Sequence, residues 1–300
     1  MRSLSPLLVL VPLLGLGELC LQQYLARRAP GFDDYAALAP KLAKLKQPGV
    51  PVVVAPAWAE PLVRQAAPSA FPVGELTRPD NSGFASFLEV SLLGQSAPEL
   101  AGFAPQRTER VGKFQLSVRQ NPRPERVSFD FVTAVDHGEV EVFIDRGGQR
   151  QPCVLASGAR TQTGGLHGHV GYPRQRYECG AGRFVGVTLI EDASYRAHRC
   201  VMTQLPEQGS VVLRFSSVLA SQRLVGFAGF SYFLERDDGA QSVELSVNEA
   251  GQALGQYRTA GAQGWARFEL QRGAVAGSVE VNVRRLQPAA NDFCFALEAR

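Results

Sequence analysis

Three hundred residues suggest two domains, or one large β domain, and a hydrophobic share of 45% supplies a sizeable core. A formal charge of +3 is too small to support nucleic acid as a partner, and lysine is scarce: Lys41, Lys44, Lys46 and Lys113 are all there are among 31 basic residues. Five cysteines without a CxxC pair argue against a zinc site.

The chain opens with Arg2 and an apolar run from Leu7 to Gly17, continuing less cleanly through Leu19, Cys20, Tyr24 and Leu25. A basic start before a Leu-rich core is an export signal. Two readings compete. Cleavage lacks a well-placed small-x-small site before Arg27 and Arg28, and a membrane anchor is spoiled in its second half by Glu18, Gln22 and Gln23. The anchor is the reading adopted over a cleaved signal peptide for residues 1–28, with Leu7 to Leu25 helical and inserted in the inner membrane and a periplasmic body after Arg28.

Residues 29–106 read as a mixed α/β neck. Asp33 and Asp34 begin a helix to about Lys46, because acids suit the positive dipole end. Val52 to Ala55 is a short buried strand, and Trp58 to Ala67 a second helix with Pro61 in its first turn. Phe84 to Leu93 is a strand or a short helix, which periodicity cannot decide. Ser96 to Gln106 reads as a linker.

Residues 107–199 form a β-rich domain with segments at 113–119, 126–134, 138–144 and 184–190. Residues 200–300 alternate more clearly. Val211, Leu213 and Phe215 point one way. Val243, Leu245 and Val247 alternate with Glu244, Ser246 and Asn248, and Val279, Val281 and Val283 with Glu280, Asn282 and Arg284. Period two marks strands with one buried and one wet face. The chain is therefore mainly β, an antiparallel β-sandwich or jelly roll at its C-terminal end, preceded by mixed α/β and an N-terminal hydrophobic helix. One large sandwich, or two sharing strands, fits.

Several side chains invite chemistry. His167 and His169 in the Gly-rich stretch 161–172 lack evident further metal ligands, so a solvated loop is expected. Asp136-His137 is the best acid–base pair, but Ser157 and Ser82 stand in no G-x-S-x-G elbow. Asp237-Asp238-Gly239 reads as a hairpin turn before a calcium site. No catalytic residue, metal or cofactor is assigned. Cys153, Cys179, Cys200 and Cys294 are an even set suited to disulfides in an oxidising compartment. Trp265 has parity opposite to Ala266, Phe268 and Leu270. If those face the core, Trp265 faces out or caps the strand's entry.

The ordered elements Val127-Ser-Phe-Asp-Phe131, Cys153, Arg176-Tyr-Glu-Cys179, Val185-Gly-Val-Thr188, Arg199-Cys200, Gly226-Phe-Ala-Gly229, Gly264-Trp265 and Phe293-Cys-Phe295 resemble the extracytoplasmic β-sandwich region of bacterial envelope proteins. Some of those are polytopic membrane glycosyltransferase-like proteins. The C-terminal part resembles galactose-binding-like jelly rolls. The resemblance covers residues 50–300 and carries no transferase activity, because the chain has no polytopic half. A jelly roll implies adjacent first and last strands, hence Cys200 with Cys294. Cys153 and Cys179 flank the Gly-His stretch and form the second pair. The resemblance also implies glycan recognition, for which aromatic faces and guanidinium donors suit. The candidates are Tyr257, Arg258 and Trp265, with His198 and Arg236 behind them. The rivals are a docking role on a membrane protein such as a glycosyltransferase, and a hydrolase.

Overall fold

A computed structural model describes residues 7–158, 173–192, 196–231, 242–260, 263–273, 275–287 and 292–300. The chain divides into two compact units, residues 1–75 with 84–124, and residues 76–83 with 125–300.

The first unit begins with helix α1 (Leu7–Arg28) and α2 (Phe32–Leu45). Asp34 accepts the Gly31 amide at 2.9 Å, which satisfies a free donor at the start of α2. β1 (Val52–Ala55), α3 (Glu60–Ala66) and α4 (Val73–Leu76) follow. β2 (Ser86–Leu92), β3 (Ala104–Val111) and β4 (Phe114–Gln120) complete a four-stranded sheet of order β1-β2-β4-β3, with β1 parallel to β2. The ambiguous 84–93 stretch is thus a strand. The expected linker 96–106 is a 3-10 turn at Pro98–Leu100 followed by the first residues of β3. Its structure comes from pairing with β4, which local composition does not report. α1 is helical as expected. Among the described residues no helix is long and apolar enough to cross a membrane, and Glu18, Gln22 and Gln23 interrupt the apolar run of α1.

The second unit is a two-sheet antiparallel sandwich. Its strands are β5 (Phe129–Asp130), β6 (Glu141–Arg146), β7 (Gln149–Pro152), β8 (Val154–Ala156), β9 (Arg176–Glu178), β10 (Phe184–Glu191), β11 (Ala197–Gln204), β12 (Ser210–Val218), β13 (Arg223–Gly229), β14 (Ser242–Glu249), β15 (Gln252–Ala260), β16 (Ala266–Gln271), β17 (Gly277–Arg285) and β18 (Asp292–Ala299). One sheet has the order β16-β13-β18-β11-β10-β9-β8, with β5 on β18; the other runs β15-β14-β17-β12-β6-β7. Strands β11 to β14 and β15 to β18 alternate between the sheets, the crossing connectivity of a jelly roll. The period-two positions meet between them: Val211, Leu213, Phe215, Val243, Leu245, Val247, Val279, Val281 and Val283 share one core with Phe293, Phe295 and Leu297.

The expected β segment 126–134 is only β5 and then helix α5 (Phe131–Asp136). Asp130 causes the switch, because its carboxylate accepts the amides of Val132 and Thr133 and caps the helix. The expected domain boundaries at 106/107 and 199/200 fall inside strands β3 and β11.

Both expected disulfides are present. Cys153–Cys179 joins the region of β8 and β9, and Cys200–Cys294 bridges neighbouring strands β11 and β18. At the end of β18, the Arg300 guanidinium is 2% exposed. It donates to both oxygens of Asp80 at 2.9 Å, to Glu125 at 3.0 Å, and to Glu298 and Ser82.

Candidate functional site

The outward face of the six-stranded sheet is built by the same alternation that builds the core. When Val243, Leu245 and Val247 point inward, Glu244, Ser246 and Asn248 must point outward. Strand register then sets outward residues side by side in rows. The central row is Gln256, Ser246, Asn282, Val212, Phe143 and Pro152, from β15 to β7. Arg258, Glu244 and Arg284 form a row on one side of it, and Asn248, Glu280, Arg214 and Glu141 one on the other.

The charged rows are closed by ion pairs. Arg258 and Arg284 each donate from Nε to a different oxygen of Glu244, both at 2.7 Å. Arg150 holds Glu280 through two bonds, at 3.0 and 2.9 Å, and Arg214 Nε adds a third at 2.8 Å. Arg150 also reaches Asp145 at 3.3 Å, and Arg214 reaches Glu141 at 3.5 Å. The Arg284 hydrogen bond first, and the Arg258 bond after it, hold the Glu244 carboxyl below its usual range against the opposing effect of burial. Glu280 is lowered in the same way, by Arg150 first. These guanidiniums are therefore fixed in orientation. Arg150 and Arg214 also lie over the Phe143 ring, 6.0 and 5.5 Å from its centroid.

The central row is different. Among the described residues, no hydrogen bond is made by the side chains of Gln256, Ser246, Asn282 or Asn248. Gln256 is exposed and the other three are half-buried. The face thus offers free amide and hydroxyl groups at its β15 end, whereas toward β7 Val212 is buried and Arg150 lies over Phe143 and reaches across the row to Glu280.

A second cluster lies on the outward face of the other sheet. His198 Nε2 stands 2.9 Å from Asp192 Oδ2, and both residues are buried. The Trp265 ring stacks on His198, and its backbone lies over Gly229, where a Cβ would come within 3.2 Å of Trp265 Cα. Phe268 and Leu270 do face the core, so Trp265 has the outward parity its position suggested. It is nevertheless half-buried against the Cys200–Cys294 cluster with Phe184, Ile190 and Met202. His198 Nδ1 and Trp265 Nε1 are enclosed and make no hydrogen bond.

The sequence candidates therefore do not converge. Tyr257 and Arg258 are consecutive on β15 and point to opposite faces. Tyr257 stacks on Phe268 at 4.4 Å, and burial raises its hydroxyl pKa more than the Thr259 hydrogen bond lowers it. Arg258 stands on the outward face. Trp265 and His198 meet each other on the other sheet. Arg236, Asp237-Asp238-Gly239, His167 and His169 lie outside the described residues. Asp136 pairs with Arg199 at 2.7 Å, and His137 is exposed beside Glu139. Ser82 is bound to Asp80. No group of three metal-ligating side chains occurs among the described residues. Sequence reasoning missed Phe143, Arg150, Arg214 and Gln256. Their signal was outward parity, but strand order was needed to bring them together.

No family model and no curated protein matches the chain. Similar solved structures include carbohydrate-binding-module sandwiches. One is the CBM51 module from Clostridium perfringens GH95 in complex with methyl-galactose, at 10% identity, covering 38% of this chain and 81% of that one, with a TM-score of 0.29. The tandem CBM51 modules of the family 98 glycoside hydrolase from Streptococcus pneumoniae SP3-BS71 share 9% identity over 64% of this chain and 61% of theirs, with a TM-score of 0.28. The adhesin domain of Lys-gingipain from Porphyromonas gingivalis W83 shares 13% over 40% and 85%, at 0.29. Likenesses of this size carry no argument about ligand or activity.

Proposed function

We propose that the sandwich unit recognises glycan without catalysing a reaction on it, through the outward face of the six-stranded sheet, and that the protein acts outside the cytoplasm. The observation that carries the binding reading is the pairing of fixed guanidiniums with a central row of unengaged amides and a half-buried phenyl ring. A sugar presents C–H faces and hydroxyls that are both donors and acceptors. An aromatic face serves the first and oriented donors the second. Of the sequence candidates, Arg258 belongs to this face, whereas Tyr257, Trp265 and His198 have packing roles. Two disulfides support the extracytoplasmic part of the reading, and the α1 segment is its export signal.

Calorimetric titration of the full chain against envelope polysaccharides tests the binding. Arg258→Ala is expected to weaken it with an unchanged melting temperature, because the side chain is 59% exposed. Silence across a broad panel would move the assignment to protein docking. Cell fractionation tests export, and a reduced cytosolic protein would contradict it.

A further inference from the structure

We infer that the β15 end of this face seats one anionic sugar residue, a uronate or a sulfated sugar, with its charged group on Arg258 and Arg284 and its hydroxyls on the free amides. This rests on the glycan reading above and names the class of sugar.

Charge is divided unevenly along the face. The outward rows carry four guanidiniums, those of Arg150, Arg214, Arg258 and Arg284, and four carboxylates, those of Asp145, Glu141, Glu244 and Glu280, in two separate groups. Toward β7, Arg150 and Arg214 are shared among Asp145, Glu141 and Glu280, which leaves one negative charge in excess. At the β15 end, Arg258 and Arg284 have only Glu244 between them, which leaves one positive charge in excess. A second anion at this end completes an alternating set of two guanidiniums and two anions. The same anion placed toward β7 would add to an excess of its own sign. The Glu244 side chain is 6% exposed and those of Arg258 and Arg284 are 59% and 53% exposed, so an anion can approach the guanidiniums from solvent without displacing Glu244.

The donors left open suit an anion. Arg258 gives only Nε to Glu244, so the edge formed by its two terminal nitrogens is open. Arg284 gives Nε and one terminal nitrogen to a single Glu244 oxygen, and its other terminal nitrogen is open. The open edge of Arg258 is a planar two-donor fork that matches a carboxylate or a sulfate. Hydrogen bonds to an ionised acceptor are roughly twice as strong as those between neutral groups, so the nitrogens that could hold a hydroxyl hold an anion better.

The seat has the size of one ring. Gln256, Ser246 and Asn282 stand opposite one another on β15, β14 and β17, and Arg258, Glu244 and Arg284 are the next outward positions on the same strands. Outward positions on one strand are about 7 Å apart and neighbouring strands about 4.8 Å apart, so two rows on three strands cover roughly 10 by 7 Å. The amides of Gln256 and Asn282 and the Ser246 hydroxyl can both donate to and accept from ring hydroxyls. Beyond Asn282 the row meets buried Val212 and then Arg150 crossing to Glu280, and the seat ends there.

The test is calorimetric titration of the full chain with methyl galactoside, methyl galactosiduronate and methyl galactoside 6-sulfate, and with the corresponding glucose set. At least one anionic glycoside should bind at least about ten-fold tighter than its neutral parent, and the tighter of uronate and sulfate identifies the anion. Raising salt from about 0.05 to about 0.5 M should weaken that binding at least about three-fold. Arg258→Gln keeps an amide donor and removes the charge, and it should erase the preference for the anion at an unchanged melting temperature. Side-chain NMR signals of Arg258 Nε, Gln256 and Asn282 should shift on titration, which checks the location without relying on a variant. Equal or tighter binding of the neutral parents, or anionic binding indifferent to salt, would overturn the inference and leave glycan recognition standing. So would anionic binding that leaves those signals and the Arg258→Gln affinity unmoved. Silence of every glycoside while an envelope polysaccharide binds would also overturn the inference alone. Silence of the polysaccharides as well would overturn the reading and the inference together.

Discussion

The imidazole of His198 lies parallel to the indole of Trp265, with centroids 4.4 Å and planes 16° apart. The stack seals the outward side of the Cys200–Cys294 cluster, and Asp192 fixes the imidazole from its other edge. Trp265 is therefore a packing residue. Trp265→Ala should destabilise the sandwich unit by about 2–4 kcal/mol through lost burial and stacking. Urea denaturation measures this. An unchanged midpoint with lost glycan binding would instead make Trp265 a ligand contact.

Gly226 makes room for Phe268. A Cβ at Gly226 would sit 2.1 Å from Phe268 Cζ, and Phe268 stacks in turn on Tyr257. Gly226→Ala should cost about 1–3 kcal/mol by overpacking. Adding Phe268→Leu should recover part of that, so the double variant should be less destabilised than the sum of the two singles. Strict additivity would show that the alanine methyl meets no resistance from this ring.

Alkylation of denatured, unreduced protein should label Cys20 alone, because the other four cysteines are paired. Removing Cys153–Cys179, whose partners are 26 residues apart, should cost about 3 kcal/mol in the chain-entropy model. The Cys200–Cys294 pair closes 94 residues and should cost more, about 4–5 kcal/mol. Labelling of five thiols would refute both pairings.

The strands β12, β14, β17 and β18 were legible in the sequence because one wet and one buried face force period two. The same alternation already placed Glu244, Ser246, Asn248, Glu280, Asn282 and Arg284 outward. The missing information was lateral. That β15 and β17 flank β14, and that β12 joins β17 to β6, is a property of non-local pairing, so Phe143 could not be connected with Asn282. Conversely, Tyr257, Arg258 and Trp265 lie close in sequence, and period two together with the change of sheet between β15 and β16 separates them. The α5 helix was missed although its Asp130 cap is a sequence signal, because the alternation of Val127, Phe129 and Phe131 suggested a strand running through it.

Arg300 and its carboxylates make stability depend on pH in a way that can be worked out. Burial is the largest influence on Asp80 and Glu125 and raises both, but hydrogen bonds from Arg300, with Ser82 helping at Asp80 and Arg223 at Glu125, more than offset it. Their folded values are lowered, so their contribution is present above the ordinary carboxylate range and is lost as pH falls through the folded values. Glu298 runs the other way. Burial raises it beyond what Arg300 can reverse, so its contribution is fullest below about 4.5 and is lost as pH rises through its folded value. Arg300→Met removes the cation and leaves Asp80, Glu125 and Glu298 without it. Breaking a buried pair from one side should cost about 3–5 kcal/mol at pH 7, where Asp80 and Glu125, held below the ordinary carboxylate range, carry their charge. At about pH 4 they can protonate and shed the uncompensated charge, so the gap between the variant and the wild type should shrink. Denaturation of both proteins at the two pH values measures it. An equal gap at both would mean that the guanidinium acts by shape and hydrogen bonding to neutral groups, and that its charge contributes nothing to the fold.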